Sequence, residues 1–364
     1  MPRHSHCTTR PRPMLALAHA APLLLLVLAG RLAPPTSPAL AEGEGAVVGQ
    51  VGGPAVAVAA GGDHAYLGLG PGVVVLDIAD AGAPRQVGRL GPLPCAVTDV
   101  KVQDEVLYVA YRSGFATYWL DRPIAPRPAG RWSHTDACEH GGAGSILPYG
   151  DYAYVTGISW GSGAKDRVFD VQDPGNPRLV GTFEHGPGHD MAVGDGHLYV
   201  AENAFVYSYD LADPAHPVET GRMELGTRDG HAYSVAHGDG LLLVGTGAGL
   251  LLQGDGAADG ARLDVGNVVW DVAAGAGLAW LAAGSGEGHG LVIVDTTDAG
   301  SPRLLASVPV GDARSVAVVG DRAYVASGAD GLWVVDASDP TAPVAGQVLM
   351  TWAPASFVRA SGST

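Results

Sequence analysis

The chain has 364 residues, of which 54 are glycine and only 16% are charged, while 47% are hydrophobic. Low charge with abundant apolar residues excludes a disordered chain, and the scattered glycines exclude collagen. A formal net charge of −16 opposes binding to phosphate backbones and to anionic membrane surfaces. We therefore expect a turn-rich all-β protein with no nucleic-acid partner.

The N-terminal segment has the pattern of an export signal. Three arginines precede an apolar run from Leu15 to Ala29, and a proline-rich stretch then ends in Ala39-Leu40-Ala41. This order is typical of a cleaved secretory signal peptide, which we place at residues 1–41. A membrane anchor is the alternative, but 15 apolar residues are fewer than the roughly 20 that a spanning helix needs. We expect no membrane span and a protein that is secreted or held at the cell surface or in the periplasm.

One unit recurs along residues 42–350. It contains an apolar run that ends in Asp, a turn rich in Asp and Pro, and a further β-like run. The clearest copies are Gly72–Asp77, Gly290–Asp295 and Gly331–Asp336, and weaker copies end at Asp121, Asp170, Asp210 and Gly254. The intervals between these ends are 44, 49, 40, 44, 41 and 41 residues. This period is typical of a four-stranded propeller blade.

A large side chain recurs at one place in the strand before each of these runs. The residues are Tyr66, Tyr108, Tyr154, Tyr199, Leu243, Trp280 and Tyr324. Because stacked sheets must fill a gap of about 10 Å, we interpret these side chains as packing between blades. Small residues precede that strand and suit the innermost strand, where the blades converge. The sequence thus predicts an all-β, seven-bladed β-propeller of four-stranded antiparallel blades over residues 42–350.

The two ends of the repeat region resemble each other. Ala46–Val51 is similar to the last fourth strand, Pro343–Val348, so the N-terminal strand could close the ring on the seventh blade or extend that blade. Closing the ring matters because an open sheet edge invites aggregation. We predict that residues 351–364 form a disordered tail and that the protein is a monomer.

The repeat resembles a known family. Leu291-Val-Ile-Val-Asp295 spells the name of the LVIVD repeat, and Asp170–Gly181 and Asp210–Pro217 are similar to the rest of that repeat. Units 2 and 5 depart from the pattern, with Arg122–Pro126 and Gly254–Ala258 in place of the turn. The resemblance implies a bacterial β-propeller, usually secreted or at the cell surface, with no agreed catalytic mechanism.

The aspartates at the ends of the apolar runs lie before turns. The clearest are Asp77, Asp170, Asp210, Asp295 and Asp336. We interpret them as structural, because a short carboxylate there accepts backbone N–H groups and stabilises the bend. A calcium or acid–base role is the alternative.

Two cysteines remain once the export signal, with Cys7, is removed. Cys95 and Cys138 precede the first strands of units 2 and 3, so equivalent loops of neighbouring blades carry them. Adjacent loops can bring Cα atoms within the roughly 4.4 to 6.8 Å that a bridge requires. We predict a Cys95–Cys138 disulfide, with two separate buried thiols as the alternative.

Long loops and histidines concentrate on units 3 to 5. Unit 3 has two long loops, Trp132–Gly144 and Gly157–Lys165, on the propeller face where binding loops gather. The predicted ligand-binding residues at this channel mouth are Trp132, Trp160, Asp190 and His231, and the candidate metal ligands are His134, His140, His185 and His189. Imidazole with carboxylate suits a divalent transition metal, but no short metal motif is present, and solvated loop histidines are the alternative. Asp190 can orient an imidazole or, like Asp99 and Asp271 at the same strand start, satisfy backbone donors.

Loop variation on one face of a regular scaffold favours a binding function. We expect an exported module that recognises a protein, a glycan or a small ligand. The alternative is a metal-dependent enzyme that uses the histidines at the channel mouth. No P-loop, HExxH or CxxC pattern occurs in the sequence.

Overall fold

The fold is described for residues 54–80, 83–134, 138, 144–157, 165–183, 188–254, 260–284 and 290–345 of the computed structural model. All of these lie in the second of two compact units, residues 47–364. They form seven four-stranded antiparallel sheets, which confirms the predicted all-β, seven-bladed propeller. Nothing in these ranges is a helix that could span a membrane.

Each blade is a meander whose consecutive strands pair with one another. The strands of blades 1 to 4 are β1 (Ala55–Gly61), β2 (His64–Leu69), β3 (Gly72–Asp77), β4 (Arg85–Leu90), β5 (Val97–Gln103), β6 (Val106–Tyr111), β7 (Gly114–Trp119), β8 (Arg127–Ser133), β9 (Ile146–Tyr149), β10 (Tyr152–Val155), β11 (Asp166–Asp170), β12 (Arg178–Phe183), β13 (Asp190–Gly194), β14 (His197–Glu202), β15 (Phe205–Asp210) and β16 (Val218–Glu224). The strands of blades 5 to 7 are β17 (Ala232–Gly238), β18 (Leu241–Thr246), β19 (Gly249–Gly254), β20 (Ala261–Asp264), β21 (Val269–Gly275), β22 (Leu278–Ala283), β23 (Gly290–Asp295), β24 (Arg303–Val308), β25 (Ser315–Val319), β26 (Arg322–Ala326), β27 (Leu332–Asp336) and β28 (Val344–Ala345).

Strand composition follows the position of each strand in its blade. The third strand of blade 1, β3, is Gly-Val-Val-Val-Leu-Asp, and all but its last residue are buried. It is apolar on both faces because a neighbouring blade covers each face. The fourth strand, β4, is Arg-Gln-Val-Gly-Arg-Leu and is mostly exposed, because it forms the outer edge.

The core lies between neighbouring blades. One cluster joins Tyr66 and Val75 of blade 1 to Val97, Val100 and Leu107 of blade 2. The large side chains predicted to pack between blades are buried in six blades, and in blade 4 the equivalent tyrosine is partly buried. The burial of these side chains agrees with the prediction that they pack between blades.

The aspartates before the turns bind backbone N–H groups, as predicted. Each of the five accepts a bond from the amide two residues later, at 2.9 to 3.1 Å. In blades 1, 3 and 6 an arginine eight residues later also contacts the carboxylate: the pairs are Asp77–Arg85, Asp170–Arg178 and Asp295–Arg303. The hydroxyl group and the backbone amide of Thr297 both donate to Asp295 and lower the pKa of this aspartate to about 2. These residues shape the turns that begin the outer strands.

Outer-strand glycines allow close contact with the next blade's turn. A Cβ added at Gly88, Gly130 or Gly181 would lie 2.2 to 2.5 Å from a backbone carbonyl oxygen of that turn. No side chain can occupy such a space without moving the backbone. The equivalent Gly221 of blade 4 has only an ordinary contact, 3.6 Å from Ser208 Oγ.

Blades 1 and 7 meet through a pair of backbone hydrogen bonds. Ala55 N donates to Gly328 O at 2.7 Å, and Gly328 N donates to Ala55 O at 3.0 Å. The predicted closing strand, Ala46–Val51, and the predicted tail, residues 351–364, lie outside the described residues. The signal peptide predicted for residues 1–41 does so as well.

The predicted disulfide is present. Cys95 and Cys138 are bonded, with Cα atoms 5.6 Å apart. Cys95 is 3% exposed, and Cys138 packs against the core between blades 1 and 2. The bond therefore fixes the loop that leads into blade 3 on the preceding blade.

The glycine contacts lead to a first prediction. Gly181→Ala should lower the free energy of unfolding by about 1 to 3 kcal/mol, because its Cβ would overlap Ala215 O. Gly221→Ala is the matched control and should leave stability unchanged or slightly higher. Urea unfolding measures both, and equal losses for the two variants would contradict the proposed role of the close contact.

The disulfide leads to a second prediction. Cys95→Ala with Cys138→Ala should lower the free energy of unfolding by up to ~4 kcal/mol, because the 43-residue separation lets the bond restrict the unfolded chain. A reducing agent should lower the stability of the wild type to that of the double variant. The same agent should leave the double variant unaffected, and a wild type that is insensitive to reduction would contradict the prediction.

Candidate functional site

Seven equivalent residues form an inner ring around the central channel, near the start of each blade's first strand. They are Ala57, Asp99, Ser145, Asp190, Ser234, Asp271 and Ser315. Aspartate occupies this place in blades 2, 4 and 6 and serine in blades 3, 5 and 7. The first strands of a propeller lie nearest its axis, so the inner ring gives the channel a polar lining.

Each ring aspartate accepts a hydrogen bond from the first strand of the next blade. The pairs are Asp99 with Ile146 N at 3.0 Å, Asp190 with Val235 N at 3.0 Å and Asp271 with Val316 N at 2.9 Å. A strand edge has N–H groups without a ladder partner, and burying an unpaired N–H costs free energy. The carboxylates satisfy these donors, which is the structural alternative expected for the three aspartates.

Ser145 connects two of the ring carboxyls. Its Oγ donates to Asp99 Oδ2 at 2.8 Å and lies 3.2 Å from Asp190 Oδ1. Burial raises the pKa of Asp190 and of Asp271, while the Lys101 ammonium opposes both increases. A protonated Asp190 can donate to Ser145 while Ser145 donates to Asp99.

A single lysine lies in the channel beside this ring. Lys101 follows Asp99 by two residues in β5, and its Nζ is 3.4 Å from Asp99 Oδ1. Burial alone would lower the pKa of Lys101, but the charges of Asp99, Asp190 and Asp271 outweigh this effect and raise it. Lys101 therefore stays protonated and balances part of the negative charge of the inner ring.

Lys101 is a site residue that the sequence analysis missed. At the same place in the other six first strands the chain has Ala59, Leu147, Ala192, Ala236, Ala273 and Ala317. An alignment of the seven units, position by position, would have shown one charged residue among small or apolar ones. That contrast is the sequence signal for Lys101.

A set of side chains that we call the aromatic arc lines the channel mouth above the inner ring. It consists of His189, Tyr233, Trp270 and Arg314, each one residue before a member of the ring. The ring centroids of His189 and Tyr233 are 5.9 Å apart, and those of Tyr233 and Trp270 are 4.9 Å apart in an edge-to-face contact. The Arg314 guanidinium lies 4.8 Å from the Trp270 centroid in a cation–π contact. Four successive blades thus supply one continuous wall.

The pocket at the channel mouth has an aromatic side and a side with small residues. The aromatic arc covers blades 4 to 7, whereas Val56, Thr98 and Gly144 cover blades 1 to 3. The cavity between them is about 90 Å³, which is smaller than a typical small-molecule site. Lys101 and the carboxyls of the inner ring form its polar floor.

The structure brings together some of the predicted site residues. His189 and Asp190 line the pocket, and the exposed His231 lies next to it, with its ring 6.0 Å from that of Tyr233. Burial and the neighbouring His231 lower the pKa of His189. Three predicted site residues lie outside the described part of the chain: Trp160, His140 and His185.

Trp132 and His134 do not line this pocket. Trp132 lies near the end of β8, the outermost strand of blade 2, and packs edge-on against Phe169, 4.8 Å away. The His134 ring stacks on Trp132 at 6.2 Å, and the Arg167 guanidinium lies 5.5 Å from the centre of the same indole. An outermost strand ends at the rim of its blade, so these side chains lie between blades 2 and 3 rather than at the channel mouth.

A residue with a buried carboxyl group begins β11, the third strand of blade 3. Asp166, the first residue of β11, is 2% exposed, and its Oδ1 accepts a bond from Gly157 N at 3.3 Å. Burial, with the nearby charge of Glu202, raises the pKa of Asp166 to about 8. The folded protein therefore keeps a proton on Asp166 at pH values where an unfolded chain would release it.

No arrangement of three or more His, Cys, Asp or Glu side chains within the described ranges could hold a metal ion. Of the candidate metal ligands, His189 lies at the pocket and His134 at the rim, so the two described histidines are in different surroundings. The other two, His140 and His185, lie outside those ranges.

Comparison with known families identifies the repeat. The family model described as the LVIVD repeat matches residues 52–90 and 310–351. These segments contain blade 1 and blade 7, the two blades that meet where the ring closes. No curated protein matches the sequence.

Solved structures share the fold at low sequence identity. A chain of the mitotic checkpoint complex has a TM-score of 0.59 and 15% identity, with 84% of this chain and 96% of that one covered. The computationally designed protein Ika8 has a TM-score of 0.56 and 10% identity, with coverages of 79% and 97%. PorZ, a bacterial surface component of the type-IX secretion system of Porphyromonas gingivalis, has a TM-score of 0.56 and 13% identity, with coverages of 82% and 39%. These likenesses concern the fold alone.

The buried Asp166 leads to a third prediction. Between about pH 4 and pH 8 the folded state binds more protons at Asp166 than the unfolded state does, so stability falls as the pH rises through this range. Asp166→Asn should remove that contribution, and the wild type should lose at least ~1 kcal/mol more than the variant between pH 5 and pH 7.5. Urea unfolding at both pH values measures the loss. The exposed Asp321→Asn is the control and should keep the wild-type pH dependence, and an Asp166→Asn variant that also kept it would contradict the prediction.

Proposed function

We propose that this LVIVD-repeat β-propeller is an exported binding module that takes a small polar molecule into the pocket at its channel mouth. The observation that carries the proposal is the meeting of the aromatic arc with the polar floor in one concave site. Ligand sites in proteins typically combine aromatic walls with a few convergent polar groups. The β-propeller is also typically an interaction scaffold, which agrees with this assignment.

The protonation state of Lys101 in the pocket floor favours a binding function over a catalytic one. The raised pKa of Lys101 keeps its amine charged, and a charged amine is neither a nucleophile nor a general base. One oxygen of each ring aspartate already accepts a backbone N–H bond. Groups held in this way are suited to orienting a ligand.

The charge of Lys101 also bears on the metal-dependent alternative. The Lys101 ammonium lies beside Asp99 and interacts with the charges of Asp190 and Asp271, so it offsets part of the negative charge that would attract a divalent cation. A metal role would therefore depend on the histidines of the loops rather than on the inner ring.

Export is part of the proposal and has two supports. The first is the order of arginines, apolar run and small residues at the N-terminus. The second is the Cys95–Cys138 disulfide, because structural disulfides persist mainly in oxidising compartments.

Native mass spectrometry tests the binding function. The protein without residues 1–41 is incubated with four separate pools: neutral sugars and polyols, amino acids, carboxylic acids, and amines. We expect at least one pool to give an adduct. Tyr233→Ala with Trp270→Ala should abolish it, because the double variant removes the aromatic wall, while the exposed Tyr149→Ala should keep it.

Two results would contradict the proposal. One is the absence of an adduct from every pool. The other is an adduct that the double variant retains while its circular dichroism and melting temperature match those of the wild type.

A further inference from the structure

We propose that the molecule taken up at the channel mouth is neutral and rich in hydroxyl groups, of the sugar or polyol class. This inference rests on the proposed function, since it names the ligand of that same pocket. It follows from the charges, the hydrogen-bonding groups and the shape of the site.

The two cations of the pocket already have carboxylate partners. Lys101 Nζ is 3.4 Å from Asp99 Oδ1, and Arg314 Nε is 2.9 Å from Asp312 Oδ2. A ligand anion that approached Lys101 would meet the carboxylates of the inner ring. A ligand cation that approached those carboxylates would meet Lys101. Like charges at such distances repel strongly where water is scarce, so the three carboxylates disfavour an anion, and a cation must compete with Lys101 for the same carboxylates.

The same groups can still bind hydroxyls. An ammonium has three N–H donors, and each carboxylate oxygen has two lone pairs, so the contacts within the protein leave capacity on Lys101, Asp190 and Asp271. Donors and acceptors therefore lie side by side on the floor. A hydroxyl group both donates and accepts, so several hydroxyls on one ligand can satisfy both kinds of group at once.

The aromatic arc adds an apolar surface for the carbon skeleton. Tyr233 and Trp270 meet edge to face with their ring planes at 64°, which forms a corner rather than a flat stack. The C–H groups of a sugar or cyclic polyol can pack against such aromatic surfaces while its hydroxyls face the floor. A small inorganic anion would gain nothing from this wall.

The opposite side of the pocket is kept open by small residues. A Cβ at Gly144 would lie 2.9 Å from Gly188 O, so the packing of the loop requires glycine there. The cavity of about 90 Å³ can take only part of a ligand, so one small ring would stand in the open mouth and place some of its hydroxyls on the floor. One sugar residue, free or at the end of a glycan, has this chemistry.

Isothermal titration calorimetry with free monosaccharides tests the inference. The probes are D-glucose, D-galactose, D-mannose and myo-inositol, with D-glucosamine and D-glucuronate as charged analogues. We expect at least one neutral probe to bind and the charged analogues to bind about 10-fold more weakly or worse, because the carboxylates repel glucuronate and Lys101 competes with the glucosamine ammonium for the same carboxylates.

Substitutions of pocket residues test whether the ligand binds in this pocket. Lys101→Met should weaken binding of the neutral probe about 10-fold or more, since it removes the ammonium donor. Lys165→Met removes the same charge from a residue that does not line the pocket and should leave the affinity unchanged. If Lys101→Met does not fold, Trp270→Ala replaces it and should also weaken binding.

The outcomes separate this inference from the proposed function. An adduct confined to the amino-acid, carboxylic-acid or amine pool, and lost in the Tyr233→Ala, Trp270→Ala variant, would overturn the ligand class and leave the binding function standing. Binding of charged analogues as tight as that of neutral probes would also overturn it. No adduct from any pool would overturn both proposals.

Discussion

The hydrogen bond from the inner-strand amide of blades 3, 5 and 7 to the aspartate of the blade before is the interaction on which the centre of this propeller depends. A blade packs on its neighbours through apolar faces, which are not directional. The carboxylates of Asp99, Asp190 and Asp271 add direction, because each must meet one particular N–H group. They set how neighbouring first strands lie against each other, and so they also set the width and lining of the channel.

The buried carboxylates that bind these N–H groups place negative charge near the propeller axis. Lys101 reduces that charge, and the raised pKa values of Asp190 and Asp271 reduce it further when these groups hold a proton. The result is a channel mouth that is polar and carries less negative charge than three free carboxylates would give it. The same groups that hold the blades together thereby become the floor of a pocket, and the aromatic arc above them gives that pocket a specific wall.

Local chemistry explains what the sequence could predict. The blade period, the turn-forming aspartates and the disulfide each depend on residues close in the chain or on the equivalence of neighbouring units. Contacts such as Tyr233 with Trp270 join different units and arise only when the blades are arranged in a circle. Trp132 was expected at the channel mouth because it begins a long loop, but its place at the end of an outermost strand puts it at the rim. Lys101 was missed because its signal is a departure from the repeat: it is the one charged residue where the other six first strands have small or apolar residues.

The alternation of aspartate and serine in the inner ring has a consequence that follows from parity. Seven is odd, so two residue types cannot alternate all the way round, and the interruption falls at Ala57 of blade 1. There the amide of Val58 binds Ser315 Oγ at 3.3 Å instead of a carboxylate. The structural period of the ring is therefore two blades, although the period of the sequence is one. Loss of two neighbouring blades among blades 2 to 7 would keep the alternation, whereas loss of any one of blades 3 to 6 would place aspartate beside aspartate or serine beside serine.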